Sequence, residues 1–166
     1  MKKLLLILFI SVQLKNAAAQ SWVYHPFPSD SAIWTNANGT WDVHPTTPPT
    51  ATLIVNPKTR YCMTSADTTI GSNTYSKVEY CGGAYRGALR DDGVGKVYFV
   101  PADSLTELLI YDFTVLAGHT VTVYETPHND IQFSSYTYTA GAVDSILING
   151  SYRKRINIDG EYWIEG

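Results

Sequence analysis

From residue 53 onward, short runs of β-branched and aromatic residues are broken about every ten positions by turn-forming residues, the spacing of an antiparallel meander. The turn signals are Asn56-Pro57, Gly71-Ser72-Asn73, Gly82-Gly83, Asp92-Gly93, 101–104, Gly118, Asn129-Asp130, Gly141, Asn149-Gly150 and Asp159-Gly160. Between them, 75–80, 85–90, 96–100, 107–113, 120–124, 134–139, 143–148, 152–158 and 161–164 have the length and composition of strands. Asn149-Gly150 is the sharpest signal, because a type I′ hairpin needs positive φ at both central residues and this pair tolerates it. Beyond it, Tyr152, Lys154, Ile156 and Ile158 share one strand face, while Arg153, Arg155 and Asn157 share the other, which predicts one buried and one wet side. No segment carries a helical period. A single layer could not cover so many apolar side chains. The expected fold is therefore all-β, an antiparallel meander curled into a barrel-like shape or a two-sheet sandwich.

The pattern changes before residue 53. Residues 20–50 hold five of the eight prolines and the clustered Trp22, Trp34 and Trp41, which predicts irregular, extended structure with short strands. One β domain over 20–166 follows, with an irregular aromatic-rich start at 20–66 and the meander at 67–166. Earlier still, Lys2 and Lys3 precede the apolar run 4–10, and Ala17-Ala18-Ala19 supplies small residues for a signal peptidase. Residues 1–19 are accordingly expected to be a signal peptide read by the Sec export machinery. The protein would then be periplasmic, extracellular or on the cell surface. The apolar run falls well short of the roughly 20 residues that cross a bilayer, so no transmembrane segment is expected.

Composition sharpens this. The chain of 166 residues is 45% hydrophobic and 16% charged, with only two cysteines, which excludes disordered, collagen-like and disulfide-dense chains. Its net charge of −3 becomes −6 once Lys2, Lys3 and Lys15 are removed, a surface that repels nucleic acid. Export would bring Cys62 and Cys81 into an oxidising compartment, making them a disulfide candidate, with unpaired thiols as the alternative.

An ordered set of phrases carries a family resemblance: Asp67-Thr68-Thr69-Ile70-Gly71, Tyr75-Ser76-Lys77-Val78, Gly87-Ala88-Leu89-Arg90-Asp91-Asp92, Gly95-Lys96-Val97-Tyr98-Phe99, and Leu108-Leu109-Ile110-Tyr111-Asp112-Phe113 with Gly118-His119-Thr120. Across 67–166 the chain resembles an uncharacterised secreted β domain of Bacteroidetes. Longer members carry a C-terminal sorting domain of the type IX secretion system, and a phrase similar to Tyr162-Trp163-Ile164-Glu165-Gly166 continues there into further β structure. By that resemblance the chain is one module of a longer exported protein, truncated at Gly166. It departs from the family at His119, where an Asp is more usual. The resemblance implies no enzymatic activity.

Chemistry-bearing patterns are sparse. The turn 90–95 clusters carboxylates that could hold Ca²⁺ but lacks the spacing of a calcium loop, so a hairpin tip is expected. Asp112 lies in an apolar run and needs a partner, for which Arg90 or Arg86 is the candidate. The four histidines lack ligand spacing, no nucleophile elbow or phosphate loop occurs, and neither metal nor cofactor is expected. The run Arg153-Lys154-Arg155 alternates across a strand and predicts a solvated face with snorkelling stems. Asp103, Glu107, Asp112 and Asp144 are available carboxylates without a motif. The aromatics remain: Trp22, Trp34 and Trp41, with Tyr136 and Tyr138 on one strand face, could stack on a sugar or a partner protein. Alternatively, the tryptophans plug the β core. The sequence thus predicts a noncatalytic secreted β module, with a cell-surface carbohydrate- or protein-binding domain as the alternative and a hydrolase third.

Overall fold

The structure is a computed structural model that describes residues 23–44, 50–125 and 132–166, the side chains of 36–58 excepted. Its ten strands are β1 (Ile33–His44), β2 (Thr50–Ile70), β3 (Asn73–Tyr80), β4 (Tyr85–Asp91), β5 (Lys96–Pro101), β6 (Leu108–Asp112), β7 (Thr120–Glu125), β8 (Ser134–Ile148), β9 (Ser151–Ile158) and β10 (Glu161–Ile164). Within each sheet every strand is paired antiparallel to its neighbours in sequence, and β6 and β7 fall in different sheets. β1 to β6 form sheet A, a curled half-barrel, and β7 to β10 form sheet B, a separate four-stranded sheet. The all-β meander expected from the turn spacing is therefore the fold.

The turns explain the short connections. Asn149 and Gly150 have φ of 50° and 81°, and Asp159 and Gly160 have φ of 49° and 89°, the paired positive values that a two-residue type I′ hairpin demands. Gly141 behaves differently from the turn expected there. It sits in a register shift between Ala140 and Val143, so 134–139 and 143–148 belong to one strand that pairs first with β7 and then with β9. A local kink lets a single strand serve two neighbours.

The stretch before residue 67 is more regular than its prolines suggested. β1 and β2 form a long edge hairpin, and Pro57, which has no N–H to donate, faces Ala37 where the register shifts. The bulge absorbs the missing donor, and the ladder continues on either side of it. Cys62 and Cys81 are joined by a disulfide with Cα atoms 5.0 Å apart. It ties β2 to the turn after β3, where the Cys81 amide also donates to the Arg60 carbonyl. The proposed signal peptide at 1–19, Trp22 and the Asn129-Asp130 turn signal lie outside the described residues, as does the side chain of Trp41.

The core lies between the sheets. Val97 of β5, Val123 of β7 and Ile156 of β9 are completely buried, joined by Met63, Val78, Leu89, Phe113 and Trp163. Each such side chain contributes about 1.5–3 kcal/mol relative to exposure. A second, smaller cluster of Tyr75, Ala88 and Val100 is buried on the opposite face of sheet A. Among the described residues no helix is long and apolar enough to cross a membrane.

Candidate functional site

Between the two sheets lies a cleft of about 730 Å³. Its walls follow from strand alternation. On β6, Tyr111 pairs across from the buried Val97 and so points inward, and on β10 Trp163 pairs with Ile156 and does the same. The two rings meet edge to face with centroids 5.3 Å apart, and Phe113 joins them at 5.9 Å from Tyr111 and 6.5 Å from Trp163. At the other end, Phe133 leans on Phe99 of β5 at 5.4 Å, with the Arg86 guanidinium 5.8 Å from the Phe133 ring centroid.

The third side is closed by the segment before β1, whose Pro26 and Pro28 keep it out of the ladder. Asp91 at the end of β4 anchors it, with Oδ2 accepting from the Tyr24 hydroxyl at 2.5 Å and from the Phe27 amide at 2.8 Å. Burial, and then the Asp91 carboxylate, push the Tyr24 phenol far above its ordinary value. So held, Phe27 stacks between Trp34, 6.2 Å away, and Tyr111, 5.7 Å away. Trp34, Phe27, Tyr111 and Phe113 thereby form a series of near-parallel rings along one wall, each step tilted by less than 30°.

Polar groups interrupt this apolar surface. Glu125, at the end of β7, and Glu161, at the start of β10, both line the cleft. Burial raises the Tyr111 phenol, and the charges of Glu125 and Glu161 raise it further, so both carboxylates act on one point of the aromatic wall. Glu125 Oε2 accepts from the Tyr138 hydroxyl at 2.9 Å, and burial together with this bond pushes that phenol up to about 12. Aromatic faces flanked by carboxylates, a guanidinium and phenols can hold a ligand that has both C–H faces and hydroxyls.

The predicted residues fare unevenly. Trp34 is half-buried, packs against the core and lines the cleft. Tyr136 and Tyr138 do share a face, and their rings lie within 16° of parallel at 6.2 Å. That face is the inner one, since Tyr136 pairs with Val123 and Tyr138 with Val121. Phe27, Arg86, Tyr111, Glu125, Phe133 and Glu161 were missed. They come from six separate parts of the chain, so no local spacing could have marked them.

Other expectations resolve locally. The 90–95 turn is a hairpin tip whose carboxylates are taken up by its own backbone: Asp91 Oδ1 accepts from Gly93 N, and Asp92 Oδ1 from Val94 N and Lys96 N. Asp112 pairs with Lys96 at 3.6 Å and caps Thr114, in place of Arg90 or Arg86, because Lys96 stands directly across from it. Arg90 instead bonds Glu107 through Nε and Nη2. Of the basic run, Arg155 faces outward to Asp144, while Lys154 turns inward and donates to the Phe113 carbonyl, its amine lowered by burial. Asp103, Asp112 and Asp144 are not part of the cleft wall.

Among the described residues, no group of three His, Cys, Asp or Glu side chains is placed to hold a metal ion. No protein-family model, curated protein or solved structure matches this chain.

Proposed function

We propose that this protein is an exported, noncatalytic β module that binds a carbohydrate in the cleft between its sheets. The observation that carries the reading is the wall of near-parallel rings from Trp34 to Phe113, which shares a cleft of about 730 Å³ with Glu125 and Glu161. Sugar rings offer apolar C–H faces to aromatics and hydroxyls to carboxylates, and this cleft supplies both. A purely mechanical spacer needs no such cavity. Fatty ligands are less suited, since two carboxylates would be desolvated against an alkyl chain at a cost of several kcal/mol each.

Export is supported by the charged start, the apolar run 4–10 and the small residues at 17–19, and by the Cys62–Cys81 disulfide, which suits an oxidising compartment. The resemblance to secreted Bacteroidetes domains adds a place in a larger surface or extracellular protein, delivered by Sec and type IX secretion. The noncatalytic part rests on the sequence. No nucleophile elbow occurs in the sequence, and the resemblance implies no enzymatic activity.

A glycan array probed with the purified protein, followed by calorimetry of each hit, tests this. Glu161→Gln should weaken a cleft ligand about tenfold with an unchanged unfolding midpoint. Silence across the array, or hits indifferent to both Glu161→Gln and Trp34→Leu, would end the reading. New reducing ends released from a bound glycan would replace binding by hydrolysis.

A further inference from the structure

Tyr136 and Tyr138 stand outside the cleft wall, yet three observations tie them to it. They project from the same face of sheet B as Val121 and Val123, which line the space between the sheets. The Tyr138 hydroxyl is bonded to Glu125, a residue of the cleft itself. And Phe133, which closes that end of the cleft, leads into β8 one residue before its first position, Ser134.

From this geometry we infer that the binding site continues out of the cleft onto Tyr136, and that its ligand is an oligosaccharide of several sugar units, not a single sugar. The inference rests on the carbohydrate reading of the cleft given above.

The two tyrosines have different parts in it. Tyr136 is 38% exposed and offers an accessible ring. Tyr138 is half-buried, packs on the core and is fixed at its far end by Glu125. Because the rings are parallel to within 16°, Tyr138 supports Tyr136 in a single orientation, and a sugar stacking on Tyr136 meets a surface already in place. Residues i and i+2 of a strand lie about 6.6 Å apart, so the aromatic surface advances along β8 by a step comparable to one sugar unit. Tyr136 is thus a contact residue and Tyr138 a positioning residue.

Charge supports a neutral chain over an anionic one. Glu125 lies where cleft and platform meet, and Glu161 also lines the cleft, so that its described wall carries two carboxylates against the one guanidinium of Arg86. A uronic or sulfated polymer running past Glu125 would be repelled, whereas neutral hydroxyls can donate to it.

The test is calorimetric titration of the full chain with neutral cello- and malto-oligosaccharides of two to six units, using whichever ladder binds. Affinity should rise about five- to tenfold with length. Tyr136→Ala should remove that rise while leaving the shortest bound member unchanged, and Tyr136→Trp should keep it. Tyr138→Phe should reduce the rise without abolishing it. Affinity independent of length, or a length dependence untouched by Tyr136→Ala, overturns the extended site and leaves the cleft reading standing. Failure of every saccharide overturns both. Binding of an unstructured peptide through Tyr136 in place of sugar overturns the ligand class. Because Tyr136 is exposed, unchanged circular dichroism and unfolding midpoint in Tyr136→Ala are part of the expected result.

Discussion

Strands β4 and β5 of sheet A are buried on both faces, whereas β7 in sheet B buries only every second residue. In β4 the consecutive residues Gly87, Ala88 and Leu89 are all buried, and in β5 Phe99 and Val100 both are. In β7 the pattern alternates strictly, with Val121 and Val123 inside and Thr120, Thr122 and Tyr124 outside. Sheet A therefore needs a cover on its outer face, and its own chain supplies one. Glu107, just ahead of β6, accepts at one oxygen from the Tyr75 hydroxyl at 2.7 Å and from Arg90 Nε and Nη2 at 2.9 and 2.7 Å, while the guanidinium lies 4.5 Å from the Tyr98 ring centroid. A charge-assisted clasp seals the small cluster of Tyr75, Ala88 and Val100. Among the described residues the outer face of β7 and β8 is exposed, and Thr122 and Thr137 bond across it as on a wet surface. The difference teaches that the two sheets put their precision in different places. Sheet A spends it on close packing, and sheet B keeps Tyr136, on its inner face, 38% exposed.

Glycine substitution probes this difference most strongly. A Cβ at Gly87 would stand 2.3 Å from Phe99 Cζ and 2.4 Å from the Val100 carbonyl oxygen. Gly87→Ala should therefore cost at least about 3 kcal/mol. At Gly141 in sheet B the nearest obstacle is the Asn157 side-chain oxygen at 2.9 Å, which can swing away. Gly141→Ala should cost less than about 1 kcal/mol. Denaturant unfolding of the two variants measures both, and equal losses would break the contrast.

Reduction of Cys62–Cys81 comes next. The sequence separation is 19 residues, and a loop of that size corresponds to about 3 kcal/mol in the chain-entropy account. Since the bridge lies wholly within sheet A, protection of β2 and β3 amides from exchange should fall first, with β7 and β8 lagging. Simultaneous loss would show that the sheets unfold as one unit.

Glu107→Ala removes the clasp and leaves Arg90 and the Tyr75 hydroxyl without their shared acceptor. A loss of about 2 kcal/mol is expected, with Glu107→Gln recovering part of it. If neither change moves the unfolding midpoint, the outer cluster needs no seal.

Alkali offers a milder test. Tyr24, Tyr85, Tyr111 and Tyr138 are all raised above 10, in each case first by burial. Their folded forms bind protons that the unfolded chain releases from pH 10 upward, so stability is intact below pH 10 and falls as pH rises through the shifted values. Lys154, lowered by burial, acts oppositely, since its penalty fades as pH climbs toward 10.5. With four phenols against one amine, the net slope above pH 10 should be downward, read from phenolate absorbance alongside circular dichroism. A flat or rising slope above pH 10 would show that burial of these phenols does not carry the alkaline limit.

The smallest effect is on the outer face of sheet B. Arg155 lowers Asp144 through a two-point contact, so this pairing holds at neutral pH and is lost only as pH falls below the ordinary carboxylate range. The pair is exposed, and Asp144→Asn should leave the melting temperature unchanged within error.

How far the fold could be read from the chain differs between these same regions. The alternation of β7 and the Asn149-Gly150 hairpin are visible in sequence because both are local: a period of two and a pair of left-handed residues. The long hairpin of β1 and β2 is not, because Pro57 reads as a breaker until a bulge opposite Ala37 accommodates it. Gly141 reads as a turn and is a kink for the equally non-local reason that β8 has two partners. The disulfide candidates met because antiparallel pairing of β2 with β3 sets Tyr61 across from Tyr80 and Cys62 across from Glu79, which leaves Cys81, beside Arg60, diagonal to Cys62 with their Cα atoms 5.0 Å apart.

By itself, then, the sequence determined the strand-and-turn alphabet of 67–166, the all-β class, the hairpin tip at 90–95 and the shared face of Tyr136 and Tyr138, since each depends on residues close together along the chain. Tertiary structure alone decided that Phe27, Tyr111, Phe133, Glu125 and Glu161 surround one cleft, and that Glu107, not Asp112, receives Arg90. Those relations depend on how two sheets curl and face each other. That is set by the sum of many weak inter-sheet contacts, and no local pattern in the chain records it.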